Sequence, residues 1–176
     1  MKDDFSDLKA ALNYAIQMEL DGKQFYLNLG KLTNNKLGKE LFAWLAAQED
    51  RHREHFQEIF RSLVDVKNWQ ETKITPAKLS KPQTIFAQAA RAATSTNAPG
   101  KEESDAVEKA MDMEIKSRDF YRQQSSIATS DVQRKFFDSI TVEEQGHYLY
   151  LVDYKEYIED PSDWFTRTEH HLLDGA

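Results

Sequence analysis

The sequence predicts an all-α fold, a four-helix bundle built from two antiparallel helical hairpins joined by a long connection. Glycine and proline are scarce, with 6 and 4 residues in a chain of 176, and 30% of the residues are charged. Four long segments carry apolar residues every three or four positions, the spacing that places side chains on one face of a helix. The length suits a single domain over residues 1–176.

The first predicted hairpin covers residues 5–63. Its helices are expected at Phe5–Leu29 and Lys36–Leu63, both far longer than the average helix of ~11–12 residues. Between them stands the polar segment Thr33-Asn34-Asn35. A connection this short makes the two helices antiparallel neighbours.

The second predicted hairpin covers residues 102–158, with helices at Glu102–Ser126 and Asp131–Ile158. The turn between them contains Ser130 and Asp131. Either residue is a favourable N-cap, because its side-chain oxygen can accept a hydrogen bond from the first turn of the helix.

A crossover over residues 64–100 joins the hairpins and contains three of the four prolines. Within it, residues 83–93 are expected to form a short helix. The tail, residues 160–176, follows Pro161 and contains Trp164 and Phe165, so we expect it to dock on the bundle or on a partner chain.

Composition excludes several classes of function. The net charge of −7 argues against nucleic-acid binding, which needs a basic face. The absence of cysteine excludes disulfides, zinc–thiolate sites and iron–sulfur clusters. No apolar run approaches the ~20 residues that span a bilayer, and the N-terminus lacks an apolar signal core. We therefore expect a cytoplasmic protein that does not bind membranes.

Carboxylates interrupt the apolar face of every predicted helix. Each face has a glutamate at its centre, and on the second and fourth helices a histidine follows one turn later. The six residues are Glu19, Glu49, His52, Glu114, Glu144 and His147. Burying an unpaired charge costs several kcal/mol, and no Lys or Arg lies near them on these faces. Two divalent ions would balance four carboxylates, and this donor set suits iron or manganese, with zinc also possible.

An internal repeat fixes how these residues meet. The segment ending in Glu19 and followed by Phe25-Tyr26 recurs 95 residues later, ending in Glu114 and followed by Phe120-Tyr121. The same offset relates the two Glu-x-x-His motifs. Two such hairpins facing each other would bring all six side chains to one centre, where the small residues Gly22 and Ser117 leave room for ions and a ligand.

The motifs Glu49-Asp-Arg-His52 and Glu144-Gln-Gly-His147 resemble those of the rubrerythrin branch of the ferritin-like di-iron proteins, over residues 5–158. The resemblance implies a ferritin-like bundle with one metal bound by Glu19 and His52 and the other by Glu114 and His147. Glu49 and Glu144 would bridge both. Tyr26 and Tyr121 would hydrogen-bond ligand carboxylates, or serve only as core aromatics.

Three departures from relatives refine this expectation. Rubrerythrins proper have an additional glutamate where this chain has Ser117, so the expected site is symmetric, as in bacterioferritins. The sequence has no cysteine for a rubredoxin-type iron, so electrons would come from a separate donor protein. Asp50 and Arg51 occupy the positions between Glu49 and His52 where bacterioferritins have a haem-ligating methionine, so no haem is expected.

The resemblance implies a homodimeric oxidoreductase of oxidative-stress defence that reduces hydrogen peroxide at two iron ions. Oxidation of ferrous iron by dioxygen, with iron storage or detoxification, is the alternative, and a non-catalytic bundle that holds zinc is a third. His55 is expected on an exposed face, with a role in metal uptake as the lesser alternative. His170 and His171 are expected to be solvated or at an interface.

Overall fold

The computed structural model describes residues 4–65 and 101–173, with side-chain surroundings for residues 8–62 and 102–167. These ranges are helical except for short turns, which confirms the predicted all-α fold. The helices are α1 (Asp4–Leu32), α2 (Lys36–Asp65), α3 (Lys101–Ile127), α4 (Asp131–Glu159) and α5 (Pro161–Leu173). The predicted short helix at residues 83–93 lies outside the described residues.

The turn between α1 and α2 is held by side-chain caps. The Asn35 side-chain oxygen accepts hydrogen bonds from the backbone N–H of Leu37, at 2.9 Å, and of Gly38, at 3.4 Å. These bonds satisfy N–H groups that have no partner within the helix. A Cβ atom on Gly38 would lie closer to the Tyr154 hydroxyl than real Cβ contacts allow. Glycine at this position therefore lets the start of α2 pack against α4.

The turn between α3 and α4 is held by two side-chain caps. The Ser130 hydroxyl accepts from the backbone N–H of Gln133 at 3.3 Å, so Ser130 rather than Asp131 is the N-cap. The Gln133 side chain reaches back and accepts from the backbone N–H of Thr129 at 3.0 Å. Bonds of this kind satisfy backbone N–H groups around the first turn of a helix.

The tail forms α5, which packs against the end of α4. Pro161 opens α5, a position where the missing N–H of proline costs nothing. Trp164 is buried, its indole N–H donates to the Asp153 carboxylate at 2.9 Å, and its ring centroid lies 5.5 Å from that of Tyr157. The tail thus docks on the bundle of its own chain.

Two hydrophobic clusters form the core. One gathers the end of α1, the start of α2 and α3 and the end of α4, with Phe42, Leu45 and Leu151 at its centre. The other gathers the opposite halves of the same helices around Leu12, Phe56 and Phe137. On each of the four long helices, one half packs in the first cluster and the other half packs in the second. The predicted metal-binding residues lie between these two halves. The bundle therefore has a polar layer between two apolar ones.

Candidate metal centre

The six residues singled out by sequence meet in one buried layer. None is more than 5% exposed, and their donor atoms form two overlapping groups in which all atoms lie within 4.8 Å of one another. One group contains Glu19, Glu49, His52 and Glu144, and the other contains Glu49, Glu114, Glu144 and His147. Glu49 and Glu144 belong to both groups. Each group has the size and the donor types of a site for one divalent cation.

Both histidines turn the same ring nitrogen toward the centre. His52 Nδ1 lies 3.0 Å from Glu144 Oε1, and His147 Nδ1 lies 3.4 Å from Glu144 Oε2. The two imidazole rings are stacked with centroids 5.5 Å apart. Because the two oxygens of Glu144 face different histidines, this carboxylate is oriented to bridge two ions.

Several buried atoms in the layer lack an aligned hydrogen-bond partner. They are Glu19 Oε2, both side-chain oxygens of Glu144, His52 Nδ1 and His147 Nδ1. Buried polar atoms without partners are rare in folded proteins, because each forfeits its solvation. These atoms lie close to one another and face the same centre without forming hydrogen bonds. The donor set therefore fits cations placed between them.

Two tyrosines connect the hairpins at the carboxylates. The Tyr26 hydroxyl donates to Glu114 Oε1, and the Tyr121 hydroxyl donates to Glu19 Oε1. Burial, with the neighbouring carboxylates, raises the pKa of both hydroxyls well above the usual value. Both tyrosines therefore stay protonated and act as donors. The two bonds are related by the sequence repeat.

Burial also sets the protonation of the carboxylates in the metal-free layer. Burial, and then the nearby Glu19 carboxylate, raises the pKa of Glu49 well above its usual value. Burial, and then Glu144, raises the pKa of Glu114 to about 8. Glu144 behaves oppositely: burial would raise its pKa, but the approach of His147 and His52 holds it well below the usual value.

The histidines complete this balance of charge. Burial alone would lower the pKa of an imidazole, yet the surrounding carboxylates raise the pKa of both His52 and His147 well above the usual value. Without cations the layer therefore retains protons that neutralise part of its negative charge. Divalent cations can replace those protons, since metal ligands bind in their deprotonated forms.

The space beside Glu49 depends on Gly22. A Cβ atom at residue 22 would lie 3.3 Å from both Cδ and Oε2 of Glu49. Glycine at this position lets α1 approach the carboxylate closely, so Glu49 itself lies where the sequence predicted room for ions and a ligand. Ser117, the repeat-related residue, is partly buried on α3.

Sequence reasoning missed Glu143 as part of the centre. Its Oε2 lies 3.2 Å from His52 Nε2, the ring nitrogen that faces away from the metal-binding groups, and the same oxygen pairs with the Arg51 guanidinium. From the sequence, Arg51 indicates only that no haem-ligating methionine stands at this position. The available signal was the adjacency of Glu143 to Glu144, but which neighbour of a ligand turns inward depends on helix packing.

His55, the remaining histidine whose side chain is described, is in neither group. It is partly buried, and burial, followed by the charge of His52, lowers its pKa; the prediction of an exposed face was therefore wrong. His170 and His171 belong to α5, beyond the residues whose side chains are described.

Comparison with known proteins agrees with this architecture. The family model described as Rubrerythrin matches residues 10–155. A solved structure, a hypothetical protein from Pyrococcus furiosus, superposes with a TM-score of 0.62 at 21% identity, covering 86% of this chain and 89% of the other. That likeness shows the fold. No curated protein is significantly similar in sequence. Within the described ranges, no helix has the length and apolar character needed to cross a membrane.

Proposed function

Because the chain belongs to the rubrerythrin family, we propose that it is a di-iron redox protein that reduces hydrogen peroxide. The observation that carries the proposal is the pair of buried donor groups that share Glu49 and Glu144. Shared carboxylates keep two ions close together, which is the arrangement needed to act on one small molecule.

The proposed ligand assignment follows the two groups. Glu19 and His52 would bind one ion, Glu114 and His147 would bind the other, and Glu49 and Glu144 would contribute to both positions. Two divalent ions bring four positive charges to four carboxylates, so the occupied layer is neutral. Oxygen donors with one imidazole per ion suit iron, while manganese and zinc can occupy similar sites.

When bound, two ferrous ions supply the two electrons that, with two protons, convert one hydrogen peroxide molecule to two waters. The protein contributes position and environment. The burial of all six ligands keeps bulk water out, and the low dielectric strengthens each charge interaction. The Tyr26 and Tyr121 hydroxyls hold one oxygen of Glu114 and of Glu19, leaving the other oxygen of each carboxylate for an ion.

Gly22 is proposed to leave the Glu49 carboxylate free to face the ions, because a Cβ atom at residue 22 would lie 3.3 Å from that carboxylate. Electrons for the next cycle are proposed to come from a separate donor protein, since this sequence has no cysteine with which to bind a rubredoxin-type iron.

The proposal is tested by stopped-flow oxidation of protein loaded anaerobically with ferrous iron, mixed with either peroxide or dioxygen. We expect two irons per chain and a much faster reaction with peroxide. Faster reaction with dioxygen would replace the proposal with ferrous oxidation and iron storage, which size-exclusion chromatography would then test through a cage assembly. Failure to bind an iron pair would leave a zinc-holding, non-catalytic bundle. Protein loaded with zinc is the control, because zinc cannot supply electrons.

A further inference from the structure

The internal repeat is exact for the six proposed ligands but not for their surroundings. The 95-residue offset relates Glu143 to Gln48 and Arg51 to Gly146. One half of the site therefore has a carboxylate and a guanidinium where the other half has a neutral amide and no side chain.

The difference lies next to His52. Glu143 Oε2 is 3.2 Å from His52 Nε2, on a side chain that is only 9% exposed, and it also pairs with Arg51. The imidazole thus has Glu143 on its outer nitrogen and the metal-binding groups around its inner nitrogen. A carboxylate in this position fixes the ring orientation and keeps the hydrogen on Nε2, which leaves the Nδ1 lone pair for a metal.

The surroundings of His147 are different. Trp44 packs edge to face against its ring, with centroids 5.6 Å apart at 87°. Gln48, the counterpart of Glu143, is buried, and its side-chain oxygen accepts no hydrogen bond among the described residues. That oxygen is the only acceptor in the Gln48 side chain. The amide oxygen therefore does not hold the His147 ring as Glu143 holds that of His52.

We propose that the two metal positions are inequivalent: the position made by Glu19 and His52 binds its divalent ion more tightly and fills first, and Glu143 is the positioning residue responsible. The position made by Glu114 and His147 is the exchangeable one. This inference rests on the metal pair of the proposed function. It concerns which ion is retained rather than the reaction that the pair performs.

The expected difference in metal affinity between the two positions follows from the effect of a carboxylate that is hydrogen-bonded to a histidine ligand. Loss of such a partner typically costs 10–100-fold in metal affinity. Arg51 offsets part of the charge of Glu143, but the carboxylate oxygen still lies within hydrogen-bond distance of His52 Nε2, at 3.2 Å. We therefore expect an affinity ratio of at least about tenfold between the two positions.

A titration curve alone does not test the proposal, because the first ion repels the second at any pair of sites. The discriminating measurement is occupancy at each position. Crystals of protein given one equivalent of Co²⁺ per chain would be measured at the cobalt absorption edge. We expect the anomalous signal to lie mainly at the position made by Glu19 and His52. Equal signals, or a stronger signal beside His147, would overturn the inference while leaving a two-metal site in place.

Two substitutions make the test specific. Glu143→Gln gives both halves the same amide, so the cobalt preference should largely disappear. Gln48→Glu supplies the missing carboxylate beside His147 and keeps the natural pair of Glu143 with Arg51. The position made by Glu114 and His147 should then gain cobalt. This variant tests the proposal even if the Glu143→Gln protein folds poorly. Unchanged occupancies in a folded Glu143→Gln protein would refute the role of Glu143. Absence of cobalt at both positions in the unsubstituted chain would refute this inference and the proposed function together.

Discussion

Tyr121, on the second hairpin, donates its hydroxyl hydrogen to the Glu19 carboxylate on the first. The bond spans 102 positions in the sequence and is buried. Its repeat-related counterpart joins Tyr26 to Glu114 in the opposite direction. Each hairpin thus orients a carboxylate of the other, so the geometry of the centre depends on the correct docking of the two halves.

Replacing Tyr121 with phenylalanine should weaken both the fold and the site. The substitution keeps the ring and removes one hydrogen bond to a carboxylate, a class of bond that contributes ~1.5–3 kcal/mol. We expect the free energy of unfolding, measured with denaturant, to fall by about that amount, and the affinity for Co²⁺ to fall roughly tenfold. Tyr14→Phe is the matched control, because Tyr14 is exposed on α1. Equal effects of the two substitutions would contradict this role.

Glu49→Ala should abolish binding of both metals. Glu49 belongs to both donor groups and is a proposed bridging ligand, so its loss removes a donor from both groups at once. We expect almost no bound iron by metal analysis and loss of the rapid reaction with peroxide. Glu40→Ala serves as control, since Glu40 is an exposed glutamate on the same helix. Retention of two metals by the Glu49 variant would refute the bridging assignment.

The helices and the polar layer could be predicted because both depend on regular spacing. Apolar residues every three or four positions define a helix face whatever the fold, and the repeat makes the position of Glu19 equivalent to that of Glu114. Helix ends were less predictable. The structure continues α1 to Leu32, past Gly30, which remains helical instead of ending the helix.

The contacts around the ligands could not be predicted in the same way. Arg51 and Glu143 are 92 residues apart, and their pairing depends on how α2 rotates against α4. The same packing decides which ring nitrogen of His52 faces the metal-binding groups and which faces Glu143. A periodic pattern locates a residue on a helix face to within about one position, which is too coarse to identify a hydrogen bond.

Gly22→Ala should impair metal binding without unfolding the protein. Alanine favours the helix by ~1 kcal/mol, but its Cβ would press on the Glu49 carboxylate, so that side chain must shift by a few tenths of an ångström. We expect a melting temperature of the metal-free protein that is unchanged or higher, and a Co²⁺ affinity at least about tenfold lower.

Gly30→Ala is the matched control for this substitution on the same helix. Among the described residues, its Cβ would meet only Phe42 Cβ, at 3.8 Å, which is an ordinary contact. We expect this variant to be more stable by up to ~1 kcal/mol and to bind Co²⁺ normally. Normal cobalt binding by the Gly22 variant as well would show that the space beside Glu49 does not matter for the metals.

The metal-free protein should lose stability as the pH rises from about 5 to 8. Glu114 has a pKa of about 8 in the folded chain against an ordinary value of 4.5. Between these values the folded chain holds a proton that the unfolded chain has released, so raising the pH favours unfolding. The raised pKa values of His52 and His147 act in the same direction. The lowered pKa of Glu144 acts below this range, where stability is lost as the pH falls.

Denaturant unfolding of the metal-free chain at several pH values measures this effect. A single group contributes at most about 1.4 kcal/mol per pH unit, and Glu114→Gln should reduce the slope because it cannot titrate. Asp112→Asn, an exposed site on α3, should leave the slope unchanged. With excess Co²⁺ the slope should reverse, since bound metal displaces the protons and binds more tightly as the pH rises. A flat profile in the unsubstituted metal-free chain would show that the layer does not retain its protons.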